Sequence, residues 1–314
     1  MRAYGTFEQP NPFAAYLNYT LPIIVSLLIG FFLHRRKLGE MQGDKADKGD
    51  KADKGDEGDK GNLRNEATSP LFLSSPLSPN LLTLVAALTL PIIAAALFFS
   101  LSRGAWLGLA VGVGVMLALR SQRALFWFTL SGFVGVSLLL LGSLNVLPTA
   151  VADRIADVPK FLGLDLFDPR GVAITSDNFA IVDRMAHWFV AWQIFQDYPW
   201  LGAGIGNYSV AYYAYNLKEW PFSLGHAHNF YLNMLAETGL IGATAYFLFA
   251  VSTVIYAWRS ARRSVAVWRG AAFGVLGALV AVAAHNFFDN LYVHGMNIQF
   301  GLLIGLLPCL ESRH

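Results

Sequence analysis

A chain of 314 residues that is 55% hydrophobic and only 14% charged is not composed like a soluble domain, in which about a quarter of residues are charged. The charges are also bunched, nine Lys/Arg and nine Asp/Glu between His34 and Glu66 leaving 14 basic and 12 acidic residues for everything else; with a mean hydropathy of +0.45, this reads as an integral membrane protein. A net charge of +2 decides little because the basic residues are unevenly placed, no nucleic-acid partner is expected, and the single cysteine, Cys309, excludes a disulfide framework within one chain.

A bilayer-spanning helix needs roughly 20 mostly apolar residues. Seven runs qualify in chain order: Phe13–Leu33, Leu81–Leu101, Trp106–Leu119, Ala124–Leu147, Phe230–Trp258, Gly270–His285 and Leu291–Leu310, the third and sixth being short. The expected fold is therefore all-α, a polytopic helical membrane protein with about seven transmembrane helices. Lys and Arg stay on the cytoplasmic side. "HRRK" after the first run, Arg120 and Arg123 after the third, Arg259, Arg262, Arg263 and Arg269 after the fifth, and Arg313 after the last all fall on one side of a seven-span arrangement. The opposite side receives a large loop at about residues 148–229, with eight acidic residues from Asp153 to Glu219. This orientation puts the N-terminus outside and the C-terminus inside.

The chain divides into an N-terminal anchor (1–33), a linker (34–80) and a membrane domain (81–314). The first run is long, lies far from Arg2 and is followed by "HRRK", which fits a retained anchor better than a cleaved signal. "GDKADKGDKADKGDEGDKGN" has glycine at many third positions, but alanine interrupts the series and proline is absent, so it is not collagen-like. With alternating charges and nothing apolar to bury, it reads as a solvated cytoplasmic linker.

Inside the large loop, "DRMAHWFVAWQIFQDYPW" places Met185, Trp188, Phe189, Trp192 and Phe195 at helical spacing, with Asp183 as a plausible N-cap and Pro199 as the stop. An amphipathic, Trp-rich helix outside the bilayer is expected to lie along the interface. The glycines of "LGAGIGNY" follow a helix rather than a strand, so they are not a dinucleotide fingerprint.

Few charges then remain to be explained. Arg103, in "SLSRGAWLG", sits at the outer junction of the second and third runs with no acidic residue near it in sequence. It reads either as a snorkelling arginine or as an anion clamp, since guanidinium is permanently charged and forks onto phosphate oxygens. Arg184 opens the loop helix, where Asp183 is its bland partner and a helix N-terminus favours an anion. Arg154 and Arg170 have aspartates close by and read as ordinary loop charges. His226 and His228 stand at the start of the fifth run. A zinc site needs three or four ligands; His187, His285 and His294 are expected on the same side, but no HExxH or CxxC accompanies them. A neutral imidazole at the membrane surface suits general-base work near neutral pH. The plainer reading is a helix cap filled by Asn229, with Glu237 as a buried polar group.

At these residues the chain resembles the O-antigen ligase and polymerase superfamily. "HNFYLNMLAETGLIG" fits a signature of His, then Asn, Ser or Gln, then nine residues and Gly-x-x-Gly, here His228, Asn229, Gly239 and Gly242. "SRGAWLGL" and "DRMAHWFVAWQIFQDYPWLGAGIGNY" match further family segments in family order, so the resemblance covers about Leu81 to Ile304. It implies a GT-C-like inner-membrane glycosyltransferase whose site faces the periplasm or exterior. Such an enzyme transfers a glycan from an undecaprenyl-pyrophosphate carrier to the hydroxyl of a lipid, a glycan or a protein. By motif, Arg103 and Arg184 would hold the donor pyrophosphate and His228 would assist the acceptor hydroxyl. His226, Asn229, Glu237, Gly239 and Gly242 would support the site, and neither a metal nor a cofactor is implied.

Two other readings stand beside it. A transporter for a small solute such as bicarbonate predicts ionisable residues within spans or broken helices near the midplane; His285 and Asp289 are the residues that leave room for it. Relatives commonly carry more spans ahead of "SRGAW", which motivates a reading as an inactive, shortened relative with a scaffolding role.

Overall fold

The computed structural model describes residues 9–52, 79–140, 168–176 and 178–311. The last part of the charged repeat, the end of the fourth apolar run, Arg154 and Arg313 lie outside these residues. All regular structure among the described residues is helical: α1 (Pro10–Ala52), α2 (Pro79–Phe99), α3 (Arg103–Arg120), α4 (Gln122–Leu140), α5 (Phe179–Asp197), α6 (Tyr208–Tyr215), α7 (Phe230–Arg263), α8 (Ala266–His285) and α9 (Met296–Leu310). Among the described residues four stretches are long and apolar enough to cross a membrane: Pro10–Leu33, Arg103–Arg120, Phe230–Arg263 and Val267–His285. Thr83–Phe99 and Met296–Leu310 are shorter apolar helices.

α8 is the centre of the bundle. Its sequence "GAAFGVLGALVAVAA" is built of small residues, and nearly all of it is buried. In lipid the hydrophobic effect does not drive helices together, so close backbone approach and interhelical hydrogen bonds must do it. A Cβ on Gly274 would come 2.5 Å from Ile23 Cα of α1, and one on Gly112 of α3 would come 2.4 Å from the Gly277 carbonyl. Asn18 Nδ2 of α1 donates to the Ala105 carbonyl of α3 at 3.1 Å, and Ser260 Oγ of α7 donates to the Leu307 carbonyl of α9 at 3.0 Å.

The two ends of the bundle differ in chemistry. One end holds Arg120, which donates to Ser26 Oγ at 3.4 Å, and Arg263, which pairs with Glu311 at 3.6 Å. At the other end Asn11 Nδ2 donates to Asp289 Oδ2 at 2.6 Å, Ser102 Oγ lies 3.5 Å from His285 Nε2, and the Phe230 N–H donates to the Asn286 carbonyl at 2.9 Å. The start of α1, the α2–α3 junction, the start of α7 and the end of α8 therefore meet at one place.

Three sequence expectations are corrected. The apolar helix of α1 does not end with its apolar run: it continues through "HRRK" to Ala52, so the first part of the segment expected as linker is helical, and an Arg36–Glu40 pair at 2.9 Å, one helical turn apart, favours the continuation. α5 does not rest on its Trp-rich stripe alone. Its fully covered residues are Val182, Met185, Ala186, His187, Val190, Ala191 and Ile194, which pack on protein, while Trp192 on the expected stripe is exposed.

The third correction concerns the fifth apolar run, which is not one straight helix. Gly239 has φ 62° and ψ −165°, so α7 breaks into a short arm, 230–238, and a long arm, 240–263. The rings of Phe230 and Tyr246 come within 4.9 Å; in an unbroken helix sixteen residues would separate them by about 24 Å. The short arm is therefore folded back over the end of the bundle. A loop fills the break: the Ala203 and Gly204 N–H groups donate to the Ala236 and Glu237 carbonyls at 2.9 Å each, while the Leu240 and Ile241 N–H groups donate to the Pro199 and Trp200 carbonyls at 2.8 and 3.3 Å. These are the groups that a continuous helix would have joined to one another.

Candidate functional site

His228 is set by its backbone before its side chain acts. Its φ is +50°, an unusual conformation for a residue with a Cβ, costing about 1 kcal/mol. Two bonds hold it there: its N–H donates to His226 Nδ1 at 3.1 Å, and its carbonyl accepts from Trp188 Nε1 at 3.3 Å. The next residue, Asn229, caps α7 by accepting the N–H groups of Tyr231 and Leu232 at 3.0 and 3.1 Å. Because His226 Nδ1 accepts a bond, the neutral His226 ring carries its proton on Nε2.

The His228 ring is held by a carboxylate. Nδ1 lies 3.3 Å from Asp289 Oδ1, and Asp289 is also fixed by Asn11 Nδ2 at 2.6 Å and by the Asn290 N–H at 2.9 Å. Donation from Nδ1–H to the carboxylate leaves the Nε2 lone pair as the reactive site. His228 Nε2 is buried and has no hydrogen-bond partner among the described residues, and the same is true of Arg184 Nε.

Charge concentrates around this ring. Burial acts to raise the Asp289 carboxyl, but the hydrogen bond and charge of His228 and then the charge of Arg184 outweigh it and hold Asp289 below the usual carboxylate range. Burial pushes His226 down to about 4, helped by the charges of His228 and Arg184 and opposed by Asp289. His187 is pushed down to about 3, first by burial and then by the charges of His228 and His226. Asp183 is pushed up by burial, against the pull of His228 and Arg184. His187 Nδ1 lies 3.2 Å from the Tyr208 hydroxyl and its Nε2 3.7 Å from Asp183 Oδ1.

The structure thus brings together Arg184, His226 and His228. It adds Asp289, Asp183 and His187, which sequence reading did not place in the site. One signal for Asp289 was present: "AHNFYLN" at 227–233 is echoed by "AHNFFDN" at 284–290, and these two segments meet where the Phe230 N–H bonds the Asn286 and Asp289 carbonyls. Arg103 opens α3 beside the same cluster. Its neighbours touch the end of α8, Ser102 through His285 and Gly104 so closely that a Cβ there would come 2.8 Å from His285 Cδ2.

The remaining expected residues act further along. Glu237 Oε1 accepts the Tyr208 N–H at 3.2 Å at the start of α6. Gly239 forms the elbow, and Gly242 leaves room for the Thr238 side chain, which a Cβ at 242 would strike at 2.3 Å. Arg170 is paired with Asp168 at 2.6 Å.

Among the described residues two groups offer metal-ligand atoms within 4.8 Å of one another: Asp183, His187 and His228, and His226, His228 and Asp289. Arg184 sits in the same electrostatic field, since its charge is felt at Asp183, His226 and Asp289. A permanent guanidinium disfavours a second cation and favours an anion. A half-buried arginine, an imidazole with a free Nε2 and a carboxylate behind it can bind an anionic group and accept a proton beside it.

No curated protein matches the chain. A family model described as O-antigen ligase matches residues 87–247, more than half of its length. The matched span holds Arg103, Arg184 and His228, both halves of the elbow lock, and α3; the chain belongs to the O-antigen ligase family.

Proposed function

We propose that this protein is a membrane glycosyltransferase of the ligase or polymerase type, acting at the external face of the inner membrane. The donor is a glycan on undecaprenyl pyrophosphate, and the acceptor is a hydroxyl of a lipid or of another glycan, in the assembly of surface polysaccharide or lipopolysaccharide. The observation that carries this reading is a buried His228 Nε2 with no hydrogen-bond partner among the described residues, on a ring held by Asp289, the carboxylate at which the charge of Arg184 is felt. His228 Nε2 takes the proton of the acceptor hydroxyl, and the resulting oxygen attacks the sugar carbon in line. The bond from that carbon to the pyrophosphate oxygen breaks, and the pyrophosphate leaves with the electron pair. Arg184 and Arg103 stabilise the charge as it develops, a task that needs no metal. Asp289 holds the His228 ring and stabilises the imidazolium formed.

The test replaces His228, Arg184 and Arg103 singly by alanine in cells that depend on this protein, with protein levels matched to wild type. Accumulation of the lipid-linked glycan and loss of polymer are expected for His228→Ala and Arg184→Ala. Normal transfer by His228→Ala would remove the base from the scheme.

A further inference from the structure

The loop that fills the elbow carries an unexplained apolar surface. Trp200 is 64% exposed, Leu201 72% and Ile205 84%, and Leu240 and Ile241 at the head of the long arm of α7 are exposed as well. They form one strip, because the Leu240 and Ile241 N–H groups bond the Pro199 and Trp200 carbonyls. Apolar strips of this kind mark a surface that something covers.

Position identifies the cover. Further along the same arm Phe247 and Leu248 are exposed at 63% and 60%, as expected of a helix facing lipid. Tyr246 is level with the α8–α9 turn, its hydroxyl 3.1 Å from that of Tyr292. Between Leu240 and Arg259, the first arginine at the opposite end of this arm, nineteen residues rise about 28 Å along the axis, close to the roughly 30 Å of a hydrocarbon core, so Leu240 stands at its outer edge. The turn thus stands at headgroup height on the lipid-facing side of the helix. Its chemistry separates lipid from sugar: tryptophan suits either, but Leu201 and Ile205 offer a glycan neither a stacking face nor a hydrogen bond.

We propose that the turn 199–206 is seated in the headgroup layer, with Trp200, Leu201 and Ile205 directed at the acyl chains, so that the bilayer itself holds the elbow closed beneath the segment carrying Arg184 and His228. This rests on the reading of the bundle as membrane-spanning and not on glycosyl transfer, so it fails or stands separately from the proposed reaction.

Spin labels test it on the full chain in phospholipid nanodiscs. Cys309, which is exposed, is replaced by serine, and Ile205→Cys is labelled alongside Lys218→Cys, an exposed control. Oxygen collisions are expected to dominate at 205 and a water-soluble nickel chelate at 218. Nickel dominance at 205 equal to that at 218 overturns the proposal. A 205 label immobilised and shielded from both relaxants overturns it in favour of a protein partner or second copy, and shielding only on addition of glycan overturns it in favour of a sugar site. Leu201→Cys supplies the same reading where Ile205→Cys does not fold.

Discussion

His228 is useful because every one of its other options is taken. Its N–H, its carbonyl and its Nδ1 are all engaged, and only Nε2 is left over. Asp289 fixes that choice, so Asp289→Asn is expected to lower transfer by about 10²-fold, because an amide NH₂ facing Nδ1 favours the opposite tautomer. Asn11→Ala, which only loosens Asp289, is expected to cost about tenfold or less on the same scale. Transfer assays on purified protein in nanodiscs, with melting curves as the fold control, check both; full activity in Asp289→Asn would remove the carboxylate from the scheme. A second residue-scale prediction concerns acid. His226 and His187 have folded values near 4 and 3 against an ordinary 6.5. Between about pH 6.5 and 4 the unfolded chain therefore binds protons that the folded chain refuses, and stability falls as pH falls. The depressed Asp289 adds to the loss below its ordinary 3.8, while the raised Asp183 acts the other way. His226→Gln is expected to flatten the fall of melting temperature across pH 6.5 to 4, and an unchanged slope would show that the His226 ring does not titrate in this way. His228 and Arg184 were legible in the sequence because each stands in a segment whose spacing resembles the family's, beside an apolar run where polar side chains are few. Asp289 left only the faint echo of one segment in the other, because 61 residues separate it from His228 and nothing in the spacing says that the two segments meet.

Two motifs that look catalytic by their spacing turn out to be halves of one mechanical element. The glycine turn after α5 and the Gly239 break in α7 exchange four backbone hydrogen bonds, and each glycine is required by the other's backbone. A Cβ on Gly202 would come 2.3 Å from Glu237 C, and one on Gly239 would come 2.4 Å from Trp200 C, both at positive φ. Gly202→Ala and Gly239→Ala are each expected to destabilise by at least about 3 kcal/mol, read as a large drop in melting temperature or in the yield of folded protein. Their double variant is expected to cost less than the sum, since either change alone opens the lock. Strictly additive losses would mean that the two segments do not act as a unit. Glu237 belongs to this element too. Its bond to the Tyr208 N–H makes it a cap for α6, so Glu237→Ala is expected to cost about 1 kcal/mol and Glu237→Gln less, with transfer reduced little in either. A collapse of transfer in Glu237→Gln at unchanged stability would instead assign that carboxylate to the chemistry. Apolar periodicity showed where this run lies but not that it breaks, because a bent helix and a straight one share the same spacing of apolar residues until a positive-φ glycine and its filling loop are seen together.

At the scale of the whole molecule the site is an assembly of helix ends, so the centre of the bundle governs it from a distance. Sequence reading located the apolar runs that become helices, because bilayer thickness sets their length. It could not say which helix would be central, since α8 looks unremarkable by hydropathy and is distinguished only by small residues on several faces at once. α8 ends in His285 and leads directly to Asp289, while α3 begins at Arg103; the relative position of these termini depends on how closely the two helices approach along their length. Gly112 sets that approach, a Cβ there falling 2.4 Å from the Gly277 carbonyl and 2.6 Å from Ala281 Cβ. Gly112→Leu is therefore expected to push α3 from α8 and to lower both melting temperature and transfer, although residue 112 lies well over two helical turns, about 13 Å, from Arg103. Gly132 of α4, where a Cβ would meet nothing within 4 Å, is the matched control: Gly132→Leu is expected to leave both unchanged. If Gly112→Leu destabilised the bundle yet kept wild-type transfer in the protein that remains folded, Arg103 would not need its place at the head of α3 against the end of α8, and the proposed pyrophosphate clamp would reduce to Arg184 alone.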